Sequence, residues 1–238
     1  MWEHLIVGIP AGWTERARGA FGAVTGVSVP TLNGVMAYGD DAKRGAVSGL
    51  IQRVAAAGVP HCLQLAPGCK GELHELGRRC GMSRADDIPL MALPGDRDLP
   101  RSDQGDLVIE VLDPEQAVVH AELAAVGFEA PLDAFLGLMT PAVIARPGVR
   151  TYVGKVAGEP VVTGVGVRLE NHVGIFNVAT LPAHRRRGYG AAITARAVRD
   201  GLDGGARWAW LQSSPAGYGV YEKLGFTTLE SWECWIAT

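Results

Sequence analysis

An arginine-rich stretch, His184-Arg185-Arg186-Arg187-Gly188-Tyr189-Gly190-Ala191, constrains this chain more than any other. It stands between a strand-like run, Gly174-Ile175-Phe176-Asn177-Val178-Ala179-Thr180, and a helix-like run that begins near Ala191. Glycine lets a backbone approach an anion closely. The first amides of a helix have no partner within it and point outward. The helix dipole adds roughly half a positive charge at the same place. A strand that runs through a basic glycine loop into a helix is therefore a cradle for phosphate. Any fold for this chain must bring a strand end, that loop and a helix start to one point.

Two familiar phosphate motifs are excluded. No G-x-x-x-x-G-K-[ST] is present, and Gly188-Tyr189-Gly190 is followed by Ala191-Ala192-Ile193, so G-x-G-x-x-G lacks its last glycine. What remains is Arg185-x-x-Gly188-x-Gly190. Downstream come Leu211-Gln212-Ser213-Ser214-Pro215-Ala216 and then Val220-Tyr221-Glu222-Lys223-Leu224-Gly225-Phe226. The pattern R/Q-x-x-G-x-G/A, followed one strand and one helix later by Y-x-x-x-G-F, resembles the GCN5-related N-acetyltransferase (GNAT) superfamily. The resemblance covers residues 106–238. It implies an α+β GNAT fold, a mixed central sheet flanked by helices, and acetyl-CoA as cofactor.

The resemblance also implies a site. The strand Asn177-Val178-Ala179-Thr180 should splay from its neighbour, and Val178, Ala179 and Thr180 should offer backbone groups to the pantetheine arm. The Val178 amide should face the thioester oxygen as oxyanion donor. Arg185, Arg186, Arg187, Gly188, Tyr189, Gly190 and Ala191 should hold the pyrophosphate. Tyr221 is the expected general acid, since a phenol of pKa about 10 lies near a thiol at about 8.5. Tyr218, three residues earlier, is the substitute. Ser214 stands near where relatives carry an asparagine that contacts pantetheine. No general base is identifiable: Glu122, Glu129, Glu170 and His172 are surface-like candidates, and a water relay is the default. The implied reaction is N-acetyl transfer to a primary amine, of a small molecule or a peptide, by direct attack in a ternary complex. The alternative is a non-catalytic acyl-CoA-binding module of the same fold.

Composition narrows the field further. Hydrophobic residues make up 47% and charged residues 20%, which suits a globular core. A net charge of -3 disfavours a nucleic-acid partner. No apolar run approaches a membrane span of about 18 residues, and no signal peptide is apparent, so a cytoplasmic protein is expected. The four cysteines, spaced C-x6-C-x10-C with Cys234 apart, lack a C-x2-C pair, so no metal site is expected. Trp232 and Trp235 suit either a core or an interface, which leaves a homodimer open.

The segment from Pro94 to Asp106 has linker composition and divides the chain into 1–105 and 106–238. The first half resembles the second. Leu63-Gln64-x-x-Pro67 mirrors Leu211-Gln212-x-x-Pro215, Gly81-Met82 mirrors Gly225-Phe226, and Leu32-Asn33-Gly34-Val35 parallels Phe176-Asn177-Val178. Ile88 to Leu93 stands where the first half would have its final strand, as Trp232 to Ile236 does in the second. Two GNAT-like subdomains in tandem are expected. In the first, Gly77 takes the place of Tyr221, and Asp40-Asp41-Ala42-Lys43-Arg44-Gly45 replaces the arginine loop with two carboxylates that would repel phosphate. That half is expected to be degenerate, to bind no CoA, and to wall the acceptor pocket.

Overall fold

The computed structural model describes residues 2–69, 71–97, 99 and 105–237. The expected linker lies partly outside them, at 98, 100 and 101–104. The chain forms two compact units, Trp2–Pro89 joined by the chain from Glu230 on, and Leu90–Leu229. The division thus falls at 89/90 and again at 229/230, not at 105/106.

The first unit contains α1 (Trp2–Ile6), β1 (Trp13–Ala17), β2 (Ala20–Val24), β3 (Gly34–Ala37), α2 (Arg44–Ala55), β4 (His61–Leu65), α3 (Gly71–Arg79) and β5 (Ser83–Arg84). Strands β1, β2 and β3 pair antiparallel, and β3 pairs parallel with β4. Helix α2 buries Val47, Leu50, Ile51 and Val54, the spacing of one helical face. They pack with Val35, Leu63, Leu65 and Leu73.

The second unit takes in most of β6 (Ile88–Pro94), then β7 (Leu107–Val111), α4 (Ala117–Phe128), α5 (Leu132–Leu138), α6 (Pro141–Ile144), β8 (Val149–Val156), β9 (Glu159–Leu169), β10 (His172–Thr180), α7 (Tyr189–Asp203), β11 (Trp208–Gln212), α8 (Pro215–Lys223) and the start of β12 (Thr227–Ala237). Strands β7 to β10 form an antiparallel run. Strand β11 joins β10 in parallel. The β8–β9 hairpin turns at Ala157 and Gly158, with φ of 51° and 88°. Two left-handed residues in a two-residue loop match the twist of the flanking strands. Helix α7 buries Ile193, Ala197, Val198 and Gly201 against the sheet.

The closing strands are exchanged. Leu90–Pro94 of β6 pair antiparallel with β11, and Glu233–Ala237 of β12 pair antiparallel with β4. Both strands stand where the sequence predicts them, but each completes the sheet of the other half. Each is added beside a parallel pair, and an alternating pattern fixes a strand's faces without naming its partner.

The tandem repeat is visible in matching bonds. The Met82 amide donates to Gly77 O at 3.0 Å, and the Phe226 amide donates to Tyr221 O at 3.0 Å. Gly77 and Tyr221 therefore hold equivalent places. The Asn33–Asn177 parallel does not hold. Asn33 immediately precedes β3, as Asn171 precedes β10, whereas Asn177 lies within β10. The Asn33 side chain is buried and binds backbone at Thr25, Gly26, Val27, Val29 and Pro60. It is a loop organiser.

Candidate active site

The site begins where β10 leaves β11. Their ladder covers His172↔Trp208 to Gly174↔Trp210 and ends there, although β10 continues to Thr180. On its other edge β10 is bulged: Phe176 pairs with Val165 and Ala179 with Thr163, so Asn177 and Val178 stand opposite Gly164 alone. Asn177 adopts φ 50°, a left-handed conformation that a non-glycine residue rarely takes. Gly164 leaves room for the bulge, since a Cβ there would lie 3.3 Å from Val178 Cγ2 and 2.5 Å from Ile193 Cγ2. The result is a strand end whose backbone is open on the β11 side.

The loop continues directly from that end. Arg186 and Gly188 are both left-handed, with φ 65° and 82°, on either side of Arg187. Left-handed residues at this spacing are a feature of backbone nests, whose amides can face an anion. Gly188 is the residue before α7, whose first internal bond runs from the Ala192 amide to Gly188 O at 3.0 Å. The amides of Tyr189, Gly190 and Ala191 thus form the open first turn. Gly190 packs over the end of β10: a Cβ there would meet Thr180 Oγ1 at 3.6 Å and Val178 Cγ1 at 3.7 Å, ordinary contacts that an alanine would tolerate. Arg186, Arg187 and Gly188 are exposed. Val178, Thr180 and residues 186–191 are therefore brought together.

Arg185 has other partners. Its amide donates to Pro182 O at 3.3 Å. Its guanidinium donates to Gly127 O at 2.8 Å and Thr180 O at 3.3 Å, and it pairs with Glu129 at 3.7 Å. It ties the end of α4 to the end of β10. Gly127 makes that approach close, since a Cβ there would stand 2.8 Å from Ala179 Cβ. Glu129, a base candidate from the sequence, is thereby engaged with Arg185. The Tyr189 ring is buried and its hydroxyl donates to Asp106 at 2.8 Å, which raises its pKa.

Helix α8 places Tyr221 over Gly217, one turn earlier, where a Cβ would lie 3.0 Å from the ring's Cε2. Phe226 supports the ring edge-on at 6.1 Å. Burial pushes the Tyr221 phenol up to about 12, so it stays a donor throughout the neutral range. Its hydroxyl has no hydrogen-bond partner among the described residues. Tyr218 differs: its hydroxyl shares a hydrogen bond with Thr228 at 3.0 Å. The Ser214 hydroxyl caps α8 by accepting from the Gly217 amide at 3.2 Å. Val178, Ala191 and Tyr221 all pack against the core that contains Ile193, Leu211 and Leu224.

Sequence reasoning missed His120, on α4. It is fully buried, its Nδ1 lies 2.7 Å from Thr163 Oγ1, and burial lowers its pKa to about 4. The Thr163 hydroxyl donates to Tyr152 O at 2.8 Å, so it accepts from the imidazole. Nε2 is then an unprotonated nitrogen, buried and without a partner among the described residues. Thr163 pairs with Ala179 at the edge of the bulge. Only its place on an otherwise apolar helix face could have signalled this histidine. Among the described residues no group of three His, Cys, Asp or Glu could hold a metal ion, and no helix is long and apolar enough to cross a membrane.

Comparison with known proteins agrees with this fold. Residues 147–228 match the family model for an acetyltransferase (GNAT) domain. No curated protein matches the sequence. Among solved structures, the fold is similar to a GCN5-related N-acetyltransferase from Kribbella flavida, at 20% identity and a TM-score of 0.70, with 94% of this chain and 89% of that one covered. A GCN5-related N-acetyltransferase from Sphaerobacter thermophilus is similar at 14% identity and a TM-score of 0.64, covering 94% of this chain and 81% of that one. A tandem GNAT protein from the clavulanic acid biosynthesis pathway is similar at 15% identity and a TM-score of 0.58, over 98% of this chain and 87% of that one. The name of the last, a tandem GNAT protein, agrees with two GNAT-like subdomains in this chain.

Proposed function

We propose, starting from a chain that belongs to the GNAT superfamily through residues 147–228, that it is an acetyl-CoA-dependent N-acetyltransferase acting on a primary amine in a ternary complex. One observation carries the reading: a strand that leaves its parallel neighbour at Gly174 continues to Thr180 and passes through one turn at Pro182–His184 into the left-handed residues Arg186 and Gly188. The nest and the first turn of α7 suit a diphosphate, and the open edge of β10 suits the amide groups of a pantetheine arm.

When bound, acetyl-CoA would supply the thioester. The chain's own residues would do the rest. The amides of residues 186–191 would hold the phosphates, and the exposed Arg186 and Arg187 would add charge. Charge-assisted bonds of this kind contribute about 1.5–3 kcal/mol each. The Val178 amide, released by the bulge, would donate to the carbonyl oxygen. Tyr221, protonated and without a competing acceptor, would donate a hydrogen bond to the departing sulfur and protonate it as the bond to carbon breaks, although burial has moved the phenol further from the thiol than the free values place it. Arg185 would act at one remove, by holding α4 against the end of β10. The acceptor is a small-molecule or peptide amine, deprotonated through ordered water.

Tyr221→Phe tests the enzyme reading. It should lower kcat on the order of 10- to 100-fold and leave CoA affinity within about twofold. Unchanged kcat would remove the acid role. Tight CoA binding with no transfer to any amine in a panel of polyamines, amino acids, aminoglycosides and peptides would instead indicate the non-catalytic acyl-CoA module.

A further inference from the structure

A cavity of about 150 Å³ lies at the far end of α7 from the glycine loop, roughly 20 Å away by helical rise. Arg150, Tyr152, Arg168, Asp200, Gly201 and Gly204 line it. Asp200 is saturated. Its Oδ2 accepts from Arg150 at 3.1 Å and from the Tyr152 hydroxyl at 3.0 Å, and its Oδ1 accepts from Arg196 at 2.9 Å. Two guanidinium groups thus face one carboxylate.

Arg168 is different. Its guanidinium, half-buried on β9, has no hydrogen-bond or ion-pair partner among the described residues. Its side chain lies across Gly204, where a Cβ would stand 2.9 Å from Nε. A Cβ on Gly201 would meet Val173 at 2.7 Å. The two glycines let the last turn of α7 close on the strands without filling the cavity. The carbonyls at that helix end would ordinarily repel an anion. Here they are capped: the amides of Gly204, Gly205 and Ala206 donate to Asp200, Leu202 and Gly201 O at 3.1, 2.9 and 3.0 Å. With Asp200 neutralised and the carbonyls occupied, the walls present net positive charge and one uncommitted planar fork.

We infer that this cavity binds a small oxyanion, a carboxylate or a phosphate, held by Arg168 with Arg150 beside it. A guanidinium fork matches both groups in two-point geometry. The inference is independent of the acetyl-transfer reading and concerns a different end of α7.

The test is a titration of the isotopically labelled full-length protein with inorganic phosphate, and separately with acetate, at constant ionic strength, followed by backbone amide resonances. Saturable shifts at Gly166, Arg168, Gly201 and Gly204 are expected. They should weaken at least tenfold in Arg168→Gln and persist in Gly188→Val, where the distant glycine loop is altered. Gly204→Ala, which pushes on the Arg168 stem, should weaken them as well and serves if Arg168→Gln does not fold. Saturation by acetate identifies a carboxylate site, and saturation by phosphate alone a phosphate site. If neither ligand saturates these amides, or if Arg168→Gln keeps wild-type affinity, the cavity is not an anion site.

Discussion

The chain builds the same corner twice, a parallel strand pair whose first member turns into a helix, and only one of the two is open. At β3–β4 the ladder runs from Gly34↔Cys62 to Ala37↔Leu65, and the Ala66 amide adds a further bond to Ala37 O at 2.9 Å. At β10–β11 it stops at Gly174↔Trp210 while β10 continues. Helix α2 is entered through Lys43 at φ -90°, an ordinary extended residue, whereas α7 is entered through Gly188 at 82°. The β1–β2 turn also fills the first corner: a Cβ on Gly19 would stand 2.5 Å from the Asp41 carbonyl carbon, and the Tyr38 amide donates to Gly19 O at 2.9 Å. Where Tyr221 stands in one half, Gly77 stands in the other with the Trp235 ring against it, 3.2 Å from the place of a Cβ. The comparison teaches that a corner stays open when strand pairing is withheld and the backbone turns through left-handed residues, here Asn177 and Arg186. Among the described residues every non-glycine with positive φ, Glu129, Ala157, Glu170, Asn177 and Arg186, lies in the open half. Ala157 and Glu170 belong to hairpin turns and Glu129 caps α4, so Asn177 and Arg186 are the two that bear on the corner, at a cost of about 1–3 kcal/mol each.

The exchanged strands give the largest expected effect. A fragment of residues 1–105 lacks Glu233–Ala237, the strand that pairs with β4. It also loses Trp235 and Cys234 from a small core. Such a fragment should show no cooperative melting by circular dichroism. A sharp transition would mean that the closed corner is stable without its borrowed strand.

Acid should separate the two halves next. His120 is buried in the open half, and the first unit has no fully buried histidine among its described residues. The folded pKa of His120, about 4, lies below the ordinary 6.5, so the unfolded chain takes the proton first as pH falls. Its contribution is complete above about pH 6.5 and lost on descent to about 4, on the order of 3 kcal/mol. Amide hydrogen exchange at pH 7 and pH 4.5 should show protection falling faster in residues 90–229, and His120→Gln should flatten the slope. Equal loss in both halves would set this distinction aside.

Substitutions at the two helix entrances should then diverge in their effect on coenzyme binding. Gly188→Val puts a branched side chain at φ 82° and into the nest. It should weaken CoA on the order of 100-fold, about 2.7 kcal/mol by calorimetry. Lys43→Val, at an extended φ, should leave CoA affinity within about twofold. Equal effects at both entrances would contradict a single working corner.

Much of this corner is legible in the sequence because its signals are local. Gly188 and Gly190 announce the loop, Gly225-Phe226 the end of α8, and the apolar run from Gly174 the strand that precedes the loop. The repeat is legible for the same reason at Leu63-Gln64 and Gly81-Met82. The rest depends on distant partners. Nothing in Arg185 indicates that its guanidinium turns back to Gly127 and Thr180, and nothing in Ile88–Leu93 indicates that it pairs with β11. Ser214 looks like a ligand residue and an N-cap equally, and only the Gly217 amide at 3.2 Å decides which bond the hydroxyl makes here. His120 is visible as one polar residue in an apolar helix, but its orphaned nitrogen is a property of packing.

The smallest effect is the most discriminating. Charge and packing are rival reasons for the closed first corner. By charge, Asp40 and Asp41 repel phosphate; by packing, the β1–β2 turn already occupies the space. The Arg18–Asp41 pair, at 3.2 Å, is largely exposed on both sides, and such pairs contribute less than about 1 kcal/mol. Removing both carboxylates as Asp40→Asn and Asp41→Asn should therefore barely alter the melting temperature and should not open the corner. In a protein that also carries Gly188→Val, so that the second corner cannot answer, coenzyme A should show no saturable heat. A measurable affinity there would make charge the lock on the first corner and leave the Gly19 contact a consequence of closure.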